Sequence, residues 1–240
     1  MKWLIFALLV THARACSIAY EILWLLKGGF ADGAQARWRA LHEVSIITQF
    51  ICEHDSGLAI RYLDHEAIKN YKAMNQYNEY VSRLNVSPIE ESECEMIRND
   101  MQMAIEKYGK EFKGAYGWAS EALNKSNPNF FDIEKATNLD HMRPYYKWAS
   151  HNVHANSKGL FNKLGMVEAK EDGMLAGASN SGLSDPADQT ALTMSQITTK
   201  LLLHDPNVDE VIMIKIIEKL CSEVGPTFLD VENSSSNSKK

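Results

Sequence analysis

Apolar residues recur every three or four positions through most of this chain, with polar and charged residues between them. That is the period of an α-helix with one packed face and one wet face. The first such stretch covers residues 2–27. It runs from Trp3 to Val10, continues through Ile18, Ile22, Leu23, Leu25 and Leu26, and stops at Gly28-Gly29. A second helix begins near Asp32 and carries Ala34, Ala36, Trp38, Leu41, Val44, Ile46, Ile47 and Phe50 as far as the turn Asp55-Ser56-Gly57. A third, long helix is expected over 58–84, with Ile60, Leu63, Ala67, Ile68, Tyr71, Met74, Tyr77 and Val81 at helical spacing. Ser87-Pro88-Ile89-Glu90 has the form of a capping box with proline at the first helical position, so the next helix is expected over 88–112.

Shorter elements follow at 118–123 and 132–136, then a segment over 139–155 whose helix starts near Pro144. Residues 156–185 change character: Gly159, Gly165, Gly173, Gly177 and Gly182 punctuate a polar stretch that reads as a long irregular excursion. Two more helices are expected over 186–203 and 208–222. Residues 232–240, rich in Ser, Asn and Lys, have the composition of a disordered tail. No internal repeat and no alternating strand pattern interrupts this order. The expected fold class is all-α: a multi-helix bundle with one long loop excursion, as a single helical domain over 1–231.

Charge narrows the function classes. With 25 Lys plus Arg against 31 Asp plus Glu, the net charge of −6 argues against a generally basic protein that coats nucleic acid, and leaves a local basic patch open. The 4 cysteines, at irregular spacing, read as free thiols in a reducing cytoplasm. Met1-Lys2, the apolar run and Ala13-Arg14-Ala15 together mimic a signal peptide. The apolar pattern does not stop at that site, so a continuing helix is the preferred reading, with export or membrane anchoring as the alternative.

Three clusters could carry chemistry. Arg37-Trp38-Arg39-Ala40-Leu41-His42-Glu43 lies on the otherwise apolar second helix, where Arg39 and Glu43 share a face. Charges on a largely buried helix must be paired or reach solvent. Arg61-Tyr62-Leu63-Asp64-His65-Glu66 opens the third helix. The segment from Tyr145 to Asn156 holds Tyr146, Trp148, Ser150, His151 and His154. The His151–His154 pair alone is a weak metal signal, and neither Glu-x-x-His pairs nor His-Glu-x-x-His accompany it, so no metal and no cofactor is expected. Phosphate-binding, dinucleotide-binding and serine-hydrolase signatures are missing as well.

Arg37-x-x-x-x-His42 matches the short Arg-to-His motif of helical HEPN-type ribonucleases. RNA cleavage by its own 2′-hydroxyl needs a base near that hydroxyl and a cation on the developing phosphorane charge; His and Arg supply both without metal.

A wider resemblance rests on several runs: Gly29-Phe30, Ala34, Arg39 to Glu43, Arg61 to Glu66 with Tyr71-Lys72, and Tyr146-x-x-x-Ser150-x-x-Val153-His154-Ala155-Asn156. Over about residues 12–205 the chain resembles a bacterial family named domain of unknown function 5677. The resemblance implies an all-helical cytoplasmic protein with an affinity to HEPN proteins and to anti-phage defence. The expectation that follows is a metal-independent ribonuclease effector of stress or defence. Arg39, His42, Glu43 and His154 would be catalytic, and Arg37, Arg61, His65, Tyr146, Ser150 and His151 would bind substrate. RNA, a second copy of the chain and an operon-encoded protein are the candidate partners; a membrane is not expected. The alternative is a non-catalytic helical interaction or sensor module whose Arg, Glu and His groups are structural.

Overall fold

The computed structural model describes residues 2–154, 157–161, 163–166 and 176–237. Among the described residues the regular structure is entirely helical, an all-α multi-helix arrangement. The elements are α1 (Lys2–Lys27), α2 (Ala31–Cys52), α3 (Ser56–Asp64), α4 (Glu66–Leu84), α5 (Glu91–Tyr108), α6 (Phe130–Ala136), α7 (Arg143–Val153), α8 (Ser157–Phe161), α9 (Ser184–Leu202) and α10 (Val208–Asn237), with short 3₁₀ turns between some of them. The chain, expected as a single domain, divides into two compact units. One comprises Met1–Ala7 and Glu53–Asn138, the other Leu8–Cys52 and Leu139–Lys240.

The second unit is built around α2. Ala34, Trp38 and Leu41 of α2 share one core with Ala15, Ile18, Ile22 and Leu26 of α1, Ala149 of α7, and Ala187 and Ile197 of α9. Val224 and Phe228 of α10 pack against that core from outside. The α1 helix ends where the sequence places its stop. Gly29 sits at φ 76°, a backbone that suits glycine. A Cβ there would also lie 2.7 Å from the Ser179 carbonyl oxygen, because Ser179 N–H donates to the Gly29 carbonyl at 2.9 Å. The far end of the glycine-punctuated excursion is thus tied back to the α1–α2 corner. Its near end is tied too: the Asp32 carboxylate accepts from the N–H groups of Leu164 (2.8 Å) and Gly165 (3.3 Å).

In the first unit the long helix expected over 58–84 is interrupted. His65 ends α3 and precedes α4, and its ring nitrogen Nε2 lies 3.1 and 3.0 Å from the carbonyls of Phe112 and Gly114. A side chain turned inward to hold a neighbouring loop takes the place of one more turn of straight helix. The capping box at Ser87 is not used. Tyr77 Oη donates to the Ser87 carbonyl at 2.9 Å, the Glu90 carbonyl accepts the first bonds, from Glu93 and Cys94 N–H at 3.0 Å each, and α5 starts at Glu91. A working capping box occurs instead at α6. There the Asn129 side chain accepts from Phe131 and Asp132 N–H, and Asp132 accepts from Asn129 N–H.

The last helix is longer than its expected span of 208–222. Pro226 lies inside α10, and the helix continues through Asn237. This takes it six residues into the stretch with tail composition; 238–240 lie outside the described residues. Glu232 shows what the extension does. Its carboxylate accepts from Leu183 N–H at 2.7 Å and Ser184 N–H at 3.2 Å, which caps the start of α9 from a distance in sequence. A carboxylate on unpaired N–H groups at a helix start is favoured both by hydrogen bonding and by the helix dipole. Glu232→Ala is therefore expected to lower stability by about 1–2 kcal/mol in urea unfolding. Truncation after residue 231 should do the same. An unchanged midpoint in both would make this carboxylate dispensable.

Candidate functional site

Helix α2 presents Arg39 and Glu43 one turn apart, and α7 lays Tyr146 and Ala149, three residues apart on one face, against it. Pro144 occupies the first turn of α7, where its missing N–H costs nothing, and so sets where Tyr146 falls. The Tyr146 hydroxyl is the hub. It donates to Glu43 Oε1 at 2.7 Å and accepts from Arg39 Nη2 at 2.8 Å, while Arg39 and Glu43 pair directly at 3.2 Å. The Arg39 guanidinium also lies 4.8 Å from the Tyr146 ring centroid, and that of Arg143 lies 5.0 Å from it.

Burial pushes the Tyr146 hydroxyl up to about 12; the Glu43 carboxylate adds to the rise and Arg39 opposes it. The hydroxyl therefore stays protonated across the working range and acts as a donor to Glu43, not as a base or nucleophile. The cluster thus sets two guanidiniums against the Tyr146 ring, with the Glu43 carboxylate on its hydroxyl. Arg39 Nε is buried with no hydrogen-bond partner among the described residues.

Of the other residues that the sequence marks, His42 joins this cluster but from inside. It is 2% exposed, with its ring 5.2 Å from that of Trp38 and 5.7 Å from that of Tyr146. Arg37 turns the other way and pairs with Glu21 of α1. Ser150 spends its hydroxyl on the Tyr146 carbonyl within α7, at 2.8 Å. His151 is half-buried in the last turn, and His154 is exposed at the C-cap with extended backbone. Among the described residues no hydrogen bond, ion pair or ring contact joins His154 to Arg39 or Glu43. Arg143 was not singled out from sequence, although it stands three residues before Tyr146 and so on the same helix side. Among the described residues no group of three or more His, Cys, Asp and Glu side chains could hold a metal ion.

Arg61 and His65 belong to the first unit. The Arg61 guanidinium lies 4.8 Å from the Tyr108 ring centroid and 5.6 Å from that of Phe112, donates to the Trp118 carbonyl at 3.2 Å and pairs with Glu121 at 2.8 Å. It lines an open cleft of about 790 Å³ with His54, Asp55, Lys107 and Tyr108. His65 is 3% exposed and, through its carbonyl partners, pins the 3₁₀ loop at 109–117. Lys69 and Lys72 help, donating to the carbonyls of Ala115 (3.1 Å) and Lys113 (2.7 Å). This polar helix start is an anchor for a loop of backbone carbonyls.

Two outcomes follow. Tyr146→Phe removes the hydroxyl that joins α7 to the Arg39–Glu43 pair, and is expected to cost about 1–3 kcal/mol in denaturant unfolding. No loss would mean that ring packing alone holds α7. The second concerns pH. Burial lowers His65 from its ordinary 6.5 to about 4, against the opposing pull of its two carbonyls. The unfolded chain then binds a proton that the folded chain resists, so this group's stabilisation is complete above 6.5 and is lost as pH falls toward 4. A urea-midpoint profile should drop over that window, and His65→Gln should flatten the drop; equal profiles for both chains would remove His65 from the account.

The family model for the family of unknown function DUF5677 matches residues 5–174. The matched span runs from within α1 past α8 and includes both polar clusters. No curated protein and no solved structure matches the chain. A family match over well over half of the chain makes this protein a member of the family of unknown function DUF5677.

Proposed function

We propose that this protein is a non-catalytic helical interaction module working in the cytoplasm. The observation that carries the reading is where the reactive side chains are spent. Tyr146, Arg39 and Glu43 close a ring of hydrogen bonds between two helices. His42 is packed between Trp38 and Tyr146, and His65 is held on backbone carbonyls. A general base must reach the proton it takes, and a ring 2% exposed among aromatic neighbours has no open side for a 2′-hydroxyl. What the protein offers outward is apolar helix surface, on α1 at Leu9, Tyr20 and Trp24 and on α10 at Val208, Ile212 and Leu220. Exposed apolar patches along helices are the usual mark of partner surfaces. The 4 cysteines are all free thiols, which suits a reducing compartment.

One observation favours the second reading, a metal-independent HEPN-like ribonuclease of phage defence. The Arg39 side chain is 27% exposed and its Nε is without a hydrogen-bond partner among the described residues, so a guanidinium able to meet a phosphate is within reach of solvent. RNA integrity in expressing cells separates the two. With matched soluble yields, intact RNA is expected from the wild type and from the Arg39→Ala, His154→Ala double variant alike. RNA fragmentation by the wild type that the double variant abolishes would overturn the interaction-module reading in favour of the nuclease.

A further inference from the structure

We propose that the outward face of α1 is a self-pairing seam that joins two copies of this chain in antiparallel register. The inference rests on the interaction-module reading and names its partner. Ala15, Ile18, Ile22 and Leu26 turn one side of α1 into the core. The opposite side is exposed and carries Phe6, Leu9, Ala13, Cys16, Tyr20 and Leu23, with Lys2 and Lys27 continuing the spacing at either end. The steps from Lys2 to Lys27 alternate four and three residues throughout. This 3.5-residue repeat is the seam of a coiled coil, which a second helix can enter knob into hole. It is an additional seam, since the core already uses the other side of the same helix. A lipid surface asks only for a broad apolar sector with Lys and Arg along its polar margin, and imposes no such repeat.

The order of side chains fits an antiparallel copy. With Ala13 opposite Cys16 of the second copy, Phe6 meets Leu23 and Leu9 meets Tyr20. Small residues then meet at the centre, where the axes must come close. Each ring meets an aliphatic side chain, so no layer forces two rings together. Along the flank, Trp3 falls beside Trp24 of the second copy. A parallel pair would stack Phe6 on Phe6 and Tyr20 on Tyr20 and would align the two helix dipoles, whereas antiparallel packing opposes them. The area suffices. Trp3, Phe6, Leu9, Tyr20, Leu23 and Trp24 are each between 41% and 61% exposed. With Val10, that is on the order of 700 Å² of apolar surface per copy, close to the roughly 800 Å² per partner of a standard stable interface.

The test uses the full chain in light scattering coupled to gel filtration at tens of micromolar. The wild type is expected to be a dimer whose melting temperature rises with protein concentration, and Leu9→Glu with Tyr20→Glu a monomer of unchanged helicity whose melting temperature does not, since both positions are exposed. Register is read by mild oxidation: Ala13→Cys should form a covalent dimer through Cys16 of the second copy, and Ala13→Cys with Cys16→Ser should not. A well-folded wild type that stays monomeric overturns the proposal, and leaves the interaction-module reading to the RNA result. A dimer that survives Leu9→Glu with Tyr20→Glu overturns it as well. So does a monomer whose binding to phosphatidylcholine–phosphatidylglycerol vesicles is abolished by that same double substitution, because the face then belongs to lipid.

Discussion

Everything in the second unit depends on α2 being surrounded. Its buried positions fall on more than one side, and they include Gln35, His42, Ser45, Thr48 and Gln49 as well as Trp38, Leu41 and Ile46. A polar group taken from water must be hydrogen-bonded inside or it costs more than its neighbours return. That requirement dictates the contacts. Gln35 donates to Gln189 Oε1 at 2.8 Å, and the Trp38 ring N–H bonds both the Gln189 carbonyl and Thr193 Oγ1, at 3.1 and 3.0 Å. Thr48 and Gln49 turn to their own helix. The same logic places Tyr146, whose hydroxyl is satisfied by the Arg39–Glu43 pair at the edge of the buried region.

The architecture was legible because it is written in local period. The amphipathic pattern locates α1, α2, α7 and α9 to within a few residues, and Gly28-Gly29 and Pro144 mark real boundaries. What local pattern missed was decided by contacts far apart in sequence. The break at His65 needs the carbonyls of Phe112 and Gly114, some fifty residues on. Polar composition makes the end of α10 read as tail, yet Glu232 has a use only once α9 lies beside it. At Ser87 the capping pattern goes unused: its carbonyl accepts from Tyr77 Oη, and the helix starts at Glu91. A local signature is a competitor for the backbone, and tertiary bonds can outbid it.

The candidate site was legible in part for the same reason. Arg39, His42 and Glu43 stand out as charged and titratable groups on an otherwise apolar helix, Tyr146 as part of an aromatic- and His-rich segment, and the fold brings them together. Sequence could not say which way each points. Arg37 and Arg39 are two apart, so a helix must send them to different sides, and one finds Glu21 while the other finds Tyr146. His42 lies between the two in angle and goes inward. Arg61 and His65, marked by the same reasoning, turn out to serve a loop of backbone carbonyls in the other unit.

The polar clusters and the α1 seam point to one division of labour. Arg39, Glu43 and Tyr146 form one joint between α2 and α7, and His65 holds a loop of backbone carbonyls in the other unit. The same protein leaves two aromatic rings of α1, Tyr20 at 61% and Trp24 at 58% exposed, where ordinary burial would have enclosed them. Apolar area in water weakens a fold's net stability gain unless something covers it. The rings meet edge to face, with centroids 6.2 Å apart, on a helix whose other side is already fixed in the core. Rigid backing of this kind lowers the ordering cost of an interface, because the helix need not fold as it binds. The core contacts of Ala15, Ile18, Ile22 and Leu26 fix α1 from its inner side, so its outward face is held as a helix by the fold itself.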